Sequence, residues 1–95
     1  MVEKNNFKGY RLELTPIAKK DIKKLDKHVA VQIDSKLKDL VDGKANLDIK
    51  KMEGQASLTY RLRCGDYRIV FEVKRQIITI LVITVGHRKE VYRGF

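Results

Sequence analysis

From Leu58 onward the apolar residues of this chain recur at every second position, whereas before it they recur at helical spacing. That change of period constrains the fold more than any other feature. LTYRLR, YRIVFEV and IITILVITV follow one another, separated only by Gly65-Asp66 and by Lys74-Arg75-Gln76. Strand-like segments joined by such short connections predict a three-stranded antiparallel meander. The last segment is apolar on both sides, with Ile78, Ile80 and Val82 on one and Thr79, Leu81, Ile83 and Val85 on the other. Such a strand is either central in its sheet or completed on one face by a partner protein.

The front of the chain reads differently. In YRLELT, residues 10–15, Tyr10, Leu12 and Leu14 alternate with Arg11 and Glu13, the pattern of a half-buried strand. Thr15-Pro16 then supplies an N-cap and a proline at the first helical position. The spacing predicts a short helix with Ala18, Ile22 and Leu25 inward. A second helix is predicted from about His28 to Asp42, with Val29, Ile33, Leu37, Leu40 and Val41 inward and Gly43 as its stop. The order β-α-α-β-β-β predicts one α+β domain over residues 1–95, its helices packed on one face of an antiparallel sheet.

Charge narrows the function. Lys and Arg total 21 against 12 Asp and Glu, a net +9, which favours a polyanionic partner. Twelve of the fourteen lysines lie at or before Lys51, and six of the seven arginines at or after Arg61. The lysines fall mostly between the inward helical positions, as on a solvated face or one that touches ribosomal RNA or another acidic surface. Arginine offers a flat fork that matches phosphate oxygens, so the rear half reads as a phosphate site. A lone cysteine, Cys64, permits no internal disulfide and fits a reduced, cytoplasmic setting. No apolar run approaches the ~20 residues of a membrane span, and no signal peptide is expected before the first strand. Neither a metal-ligand cluster nor a nucleotide-binding loop is present in the sequence, so no cofactor is expected.

If Gly65-Asp66 is a two-residue turn, Arg63 faces Arg68 and Arg61 lies on the same side. Like charges opposed across a strand pair destabilise it by up to ~1 kcal/mol. A shared bound anion relieves that repulsion, as does splaying into solvent. The tail VGHRKEVYRGF then adds His87, Arg88, Lys89, Tyr92 and Arg93 just beyond the last strand. The meander should bring Arg68 and Arg88 to one edge, and a helical turn would put Tyr92 on the side of Arg88. The expected result is a basic concavity holding one phenol and one imidazole.

Metal-free RNA cleavage needs a base for the 2′-OH proton, cations for the phosphorane and an acid for the departing 5′-oxygen. Tyrosine, with an ordinary pKa near ~10, is a poor base at neutral pH unless nearby cations favour phenolate. Histidine, near ~6.5, is the more conventional base. Composition leaves both open, and each residue alone could serve packing, a turn or a surface ion pair.

YRLRCGDYRIVFEV, Tyr60–Val73, followed by ITVGHRKEVYR, Ile83–Arg93, resembles the RelE branch of the RelE/ParE toxin superfamily. The helical hairpin and KKMEG, Lys50–Gly54, fit as well, so the resemblance covers nearly the whole chain from Tyr10. It implies a RelE-like fold, related to microbial RNases, and a type II toxin that enters the ribosomal A site. There it would cleave mRNA by 2′-OH attack on the adjacent phosphate and so inhibit translation. By the resemblance, Arg68 and Arg88 stabilise the transition state and assist the leaving group, and Tyr92 is base and stacking platform. Histidines near His87 share acid–base work in related toxins. Arg61 matches a phosphate-contacting cation, and Thr59 stands where the best-known members carry a second lysine. Arg63 or Lys51 is the substitute there, with Lys89 and Arg93 as further RNA contacts. The implied partners are a RelB-like antitoxin, assembled with the toxin as a heterotetramer, and a 70S-type ribosome with its mRNA and rRNA; no membrane is implied. The alternatives are a ParE-like DNA gyrase inhibitor, which shares the fold without RNase activity, and an inactive basic nucleic-acid-binding relic.

Overall fold

Thr15 begins the first helix as its place before Pro16 requires. In a computed structural model, which describes residues 5–55 and 57–92, its backbone is extended and its Oγ1 accepts from Ala18 N at 3.1 Å. The elements run β1 (Arg11–Leu14), α1 (Pro16–Lys23), α2 (Lys27–Val41), β2 (Ile49–Lys51), β3 (Thr59–Cys64), β4 (Tyr67–Lys74) and β5 (Thr79–His87). Both helices turn their apolar faces to one side of the sheet. Ala18, Ile33, Leu37 and Leu40 meet Leu62, Ile69, Phe71, Ile80 and Val82 in one core. The predicted α+β class, with helices on one face, is therefore the observed architecture.

Among the described residues the strands form one five-stranded sheet in the order β1-β5-β4-β3-β2. Two features were not predicted. The first is that β1 pairs with β5 in parallel, Arg11 opposite Thr79 and Leu14 opposite Val82, so the sheet is mixed. This places the doubly apolar β5 between two strands. The second is β2, which pairs antiparallel with β3 and is too short to show a period of its own.

The Gly65-Asp66 turn has the expected register, with Arg63 opposite Arg68 and Cys64 opposite Tyr67. Gly65 has φ +60° at the first central position, which an L side chain adopts only with strain. The next connection departs from the predicted tight turn. Arg75–Ile77 form one turn of 3-10 helix, and Ile78 follows in the left-handed region at φ 48°. Ile78 is thus 54% exposed rather than inward, and β5 begins at Thr79. A β-branched residue in that conformation is strained. Ile78→Asn, with a side chain that tolerates it, is expected to stabilise the protein by about 0.5–1 kcal/mol. In a thermal melt that is a rise of ~2–8 °C, and an unchanged midpoint would mean that contacts of Ile78 offset its strain.

Within β5 the alternation breaks once. Phe71 pairs with Val82 but Val70 pairs with Thr84, which leaves Ile83 as an extra residue in a β-bulge. Asp21 of α1 braces the site: its Oδ2 accepts from Thr84 Oγ1 at 2.6 Å and from Val85 N at 3.0 Å. Thr15 Oγ1 donates to Ile83 O at 2.8 Å. A one-residue insertion reverses every side chain beyond it. Val85, predicted on the arginine side, is instead buried in the core beneath the helices, and Gly86 takes the arginine side.

Candidate active site

The face of the sheet away from the helices carries the cations. Arg61 and Arg63 leave β3 on that face, Arg68 stands opposite Arg63, and Lys50 of β2 stands opposite Arg61. Lys51, one residue on, opposes Tyr60 and so belongs by register to the other face. Lys50 is the cation that sequence reading missed. Its signal was the step from buried Ile49 to exposed Lys50 beside a basic strand, visible only once Ile49–Lys51 is known to be a strand.

The repulsion expected between Arg63 and Arg68 is relieved locally. Both donate to the carbonyl of Gly65, Arg68 Nη1 at 2.8 Å and Arg63 Nε at 3.4 Å. Arg68 Nη1 also reaches Tyr67 O at 3.0 Å, so backbone carbonyls hold its guanidinium. Arg61 lies 3.4 Å from Asp48.

The tail packs on this face at Gly86. Val91 Cβ lies 3.5 Å from where a Cβ on Gly86 would sit, an ordinary van der Waals distance. Val91 therefore folds over Gly86 on the arginine side and is itself buried. The turn is tied by Glu90 N and Val91 N donating to His87 O at 2.8 and 2.9 Å. Arg88 N donates to Asp66 O at 2.8 Å, fastening the tail to the β3–β4 turn, and Arg88 Nε lies 4.0 Å from an Asp66 carboxylate oxygen. Arg88 and Arg68 thus meet the same two-residue turn, the convergence predicted for them.

Tyr92 ends the described chain in an open cleft of roughly 270 Å³ lined with Lys50, Lys51, Met52, Glu53 and Arg61. The phenol stands among cations of β2 and β3, and Tyr92 is 37% exposed. Lys51 reaches the same cleft from the sheet edge despite its register. Lys89 is exposed on the turn. Arg93 lies outside the described residues.

His87 does not join this group. The bulge puts it on the helix face opposite Tyr67, whose ring it meets edge-on with centroids 5.7 Å apart. Its Nδ1 accepts from Lys89 N at 3.2 Å, a bond that shapes the turn. Of the groups expected in one concavity, Arg61 lines the cleft with Tyr92, whereas Arg68 and Arg88 are held at the Gly65-Asp66 turn and, like His87, are not among its lining residues. Cys64 also faces the helices, and burial pushes its thiol up, opposed in part by Lys36, as befits a packing residue. Among the described residues no three His, Cys, Asp or Glu side chains gather as a metal site, and no helix is long and apolar enough to cross a membrane.

The chain matches the family model described as ParE toxin of type II toxin-antitoxin system, parDE, over residues 12–92. It is 38% identical over 77 residues to Toxin RelE3 of Methanocaldococcus jannaschii, covering 73% of this chain and 84% of that protein. Its fold is similar to the toxin fold in the RelB-RelE antitoxin-toxin complex from Methanococcus jannaschii. That match has a TM-score of 0.71 and 31% identity, over 87% of this chain and 98% of the other. The isolated RelE toxin of E. coli is similar at a TM-score of 0.66 and 28% identity, over 83% and 84% of the two chains.

Proposed function

Since the chain belongs to the RelE branch of the RelE/ParE superfamily of type II toxins, we propose that it is a metal-independent, ribosome-dependent endoribonuclease that cuts mRNA in the A site. The observation that carries this reading is the placement of Tyr92 in one cleft with Lys50, Lys51 and Arg61, on the face that also bears Arg63 and Arg68. RNA cleavage without a metal needs a proton acceptor beside cations that hold a phosphate.

In the proposed reaction the Tyr92 oxygen, as phenolate, accepts the 2′-OH proton as O2′ bonds to phosphorus. The P–O5′ bond breaks and O5′ takes a proton from water, leaving a 2′,3′-cyclic phosphate and a 5′-hydroxyl. Arg61 and Lys50 hold the phosphate from the β2–β3 side. Arg68, steadied by Gly65 O and Tyr67 O, and Arg88, tied to Asp66, face the charge that develops on the phosphorane and on O5′. Arg63 extends the same basic surface. The ribosome supplies the remaining positioning of the mRNA. A RelB-like antitoxin is the proposed partner, assembled with the toxin as a heterotetramer, since RelE toxins of similar fold are solved in complex with RelB.

The test is an in vitro translation reaction with mRNA 5′ ends mapped by primer extension. The expected result is cleavage at A-site codons by the wild type. Arg68→Ala and Arg88→Ala should each lose about 10²–10³-fold in rate, the usual cost of removing a positioned donor to developing charge. Intact mRNA and unimpaired translation, with DNA supercoiling by gyrase inhibited instead, would overturn the nuclease reading in favour of a gyrase poison.

A further inference from the structure

The basic face contains two like-charge confrontations, Lys50 opposite Arg61 and Arg63 opposite Arg68. A carbonyl relieves the second. The first, and half of the second, are met by a single carboxylate just before β2. Asp48 Oδ1 lies 3.4 Å from Arg61 Nη1 and its Oδ2 lies 3.9 Å from Arg63 Nη1. One oxygen thus faces each guanidinium. The backbone fixes the arrangement, because Arg63 N donates to Asp48 O at 3.0 Å. Asp48 and the two arginines therefore keep their registration whatever the carboxylate itself does.

Two oxygens on one centre, each addressed by a different arginine, match the two non-bridging oxygens of a phosphodiester. We infer that Asp48 is an internal competitor for the RNA phosphate: it holds Arg61 and Arg63 in the free protein and yields them when a phosphodiester arrives. The inference rests on the RNA-cleaving reading above. Asp48 is a positioning residue, acting through the arginines and exchanging no proton or bond with substrate. The distances fit that role. Contacts of 3.4 and 3.9 Å are looser than a tight bidentate pair, and Asp48 is 37% exposed, so phosphate can reach the arginines as the carboxylate swings aside. The cost of such a device is weaker binding to every polyanion. Its benefit is that two adjacent arginines stay aligned on an otherwise self-repelling surface.

The test measures fluorescence anisotropy of a short labelled 2′-O-methyl RNA, which binds phosphate-reading sites but lacks the 2′-OH needed for cleavage. Removing a unit charge a few ångströms from the bound phosphate should tighten binding about three- to tenfold for Asp48→Asn. The slope of log affinity against log salt should steepen by up to ~0.7, one single-strand phosphate contact. Asp34→Asn makes the same change in net charge on the exposed side of α2, across the sheet, and should shift affinity by less than about twofold. Asp48→Ala, which also removes the acceptor, should bind more tightly than wild type too.

If Asp48→Asn binds no more tightly than Asp34→Asn, or if both Asp48 variants bind more weakly, Asp48 is a structural brace and the inference fails. An Arg61→Ala variant run alongside keeps the two readings apart. Wild-type affinity in Arg61→Ala would remove the phosphate site itself. Weakened binding in Arg61→Ala without tightening in Asp48→Asn would remove only the competitor.

Discussion

Tyr92→Phe is expected to slow ribosome-dependent mRNA cleavage by about 10²–10⁴-fold, the range that a positioned acid–base group contributes. The substitution deletes one oxygen and keeps the ring. Stacking on a nucleotide should persist, so the loss should appear in the rate of the bound complex rather than in its formation. The residue is 37% exposed at the end of the described chain, and among the described residues its hydroxyl makes no hydrogen bond, so the thermal midpoint should hardly move. His87→Gln is the informative companion. Its imidazole lies on the opposite face of the sheet, edge-on to Tyr67, so its loss should cost far less than that of the phenol. Single-turnover cleavage on programmed ribosomes reads both. Equal losses in the two variants would return the imidazole to the chemistry, and an undiminished rate in Tyr92→Phe would remove the phenol from it.

That contrast between Tyr92 and His87 shows where sequence reading reached its limit. Straight alternation through Ile80 and Val82 assigns odd-numbered positions, including 85 and 87, to the arginine side. Ile83 breaks the count, and from there odd and even exchange faces. Nothing in ILVITV marks the bulge, since every residue in it but Leu81 is β-branched and favours a strand. Its determinants are distant in sequence: Asp21 binding Val85 N and Thr84 Oγ1, and Thr15 binding Ile83 O. The same bulge turns Gly86 to the arginine side, where Val91 packs over it just before Tyr92. A tertiary brace thus chose which titratable group joined the cations.

Features set by neighbouring residues were legible. Thr15-Pro16 starts α1 where a cap and a first-turn proline must, and Gly65-Asp66 alone determines that Arg63 meets Arg68. Features set by distant pairing were not. The parallel placement of β1 beside β5 is a choice of sheet edge that no local pattern encodes. Three residues of β2 are too few for a period, so Lys50 was hidden even though Lys51 beside it was considered. Of the cations that face the RNA in the proposed reaction, those on the β3–β4 hairpin were readable because the turn and the strands are contiguous. Lys50 and Tyr92 join them only through the folded sheet.

The fold that makes these placements should depend most on Phe71. Its side chain is fully buried, lies parallel to Tyr60 at 5.7 Å, and receives the edge of Phe7 at 6.0 Å. Phe7 in turn meets Tyr10 and Tyr60 at 5.6 and 5.8 Å, so one aromatic cluster joins the segment before β1 to β3 and β4. Phe71→Ala is expected to cost about 3–5 kcal/mol, transfer and cavity contributions together. Domains of this size are commonly stable by only 5–15 kcal/mol, so the thermal midpoint should fall by at least ~12 °C. Because the chain has no tryptophan, far-ultraviolet circular dichroism through a urea titration is the suitable measurement. Phe71→Leu, which refills much of the volume but loses the stacking, should fall between wild type and alanine. Phe71 is also the β4 residue next to the register shift, paired with Val82 on the near side of the bulge. A loosened Phe71 should therefore weaken β5 pairing and, through Gly86, the seat of Tyr92. In Phe71→Leu, cleavage should fall more steeply with temperature than the folded fraction does. If activity and folded fraction instead decline together, the aromatic cluster stabilises the sheet without holding the register that places the phenol.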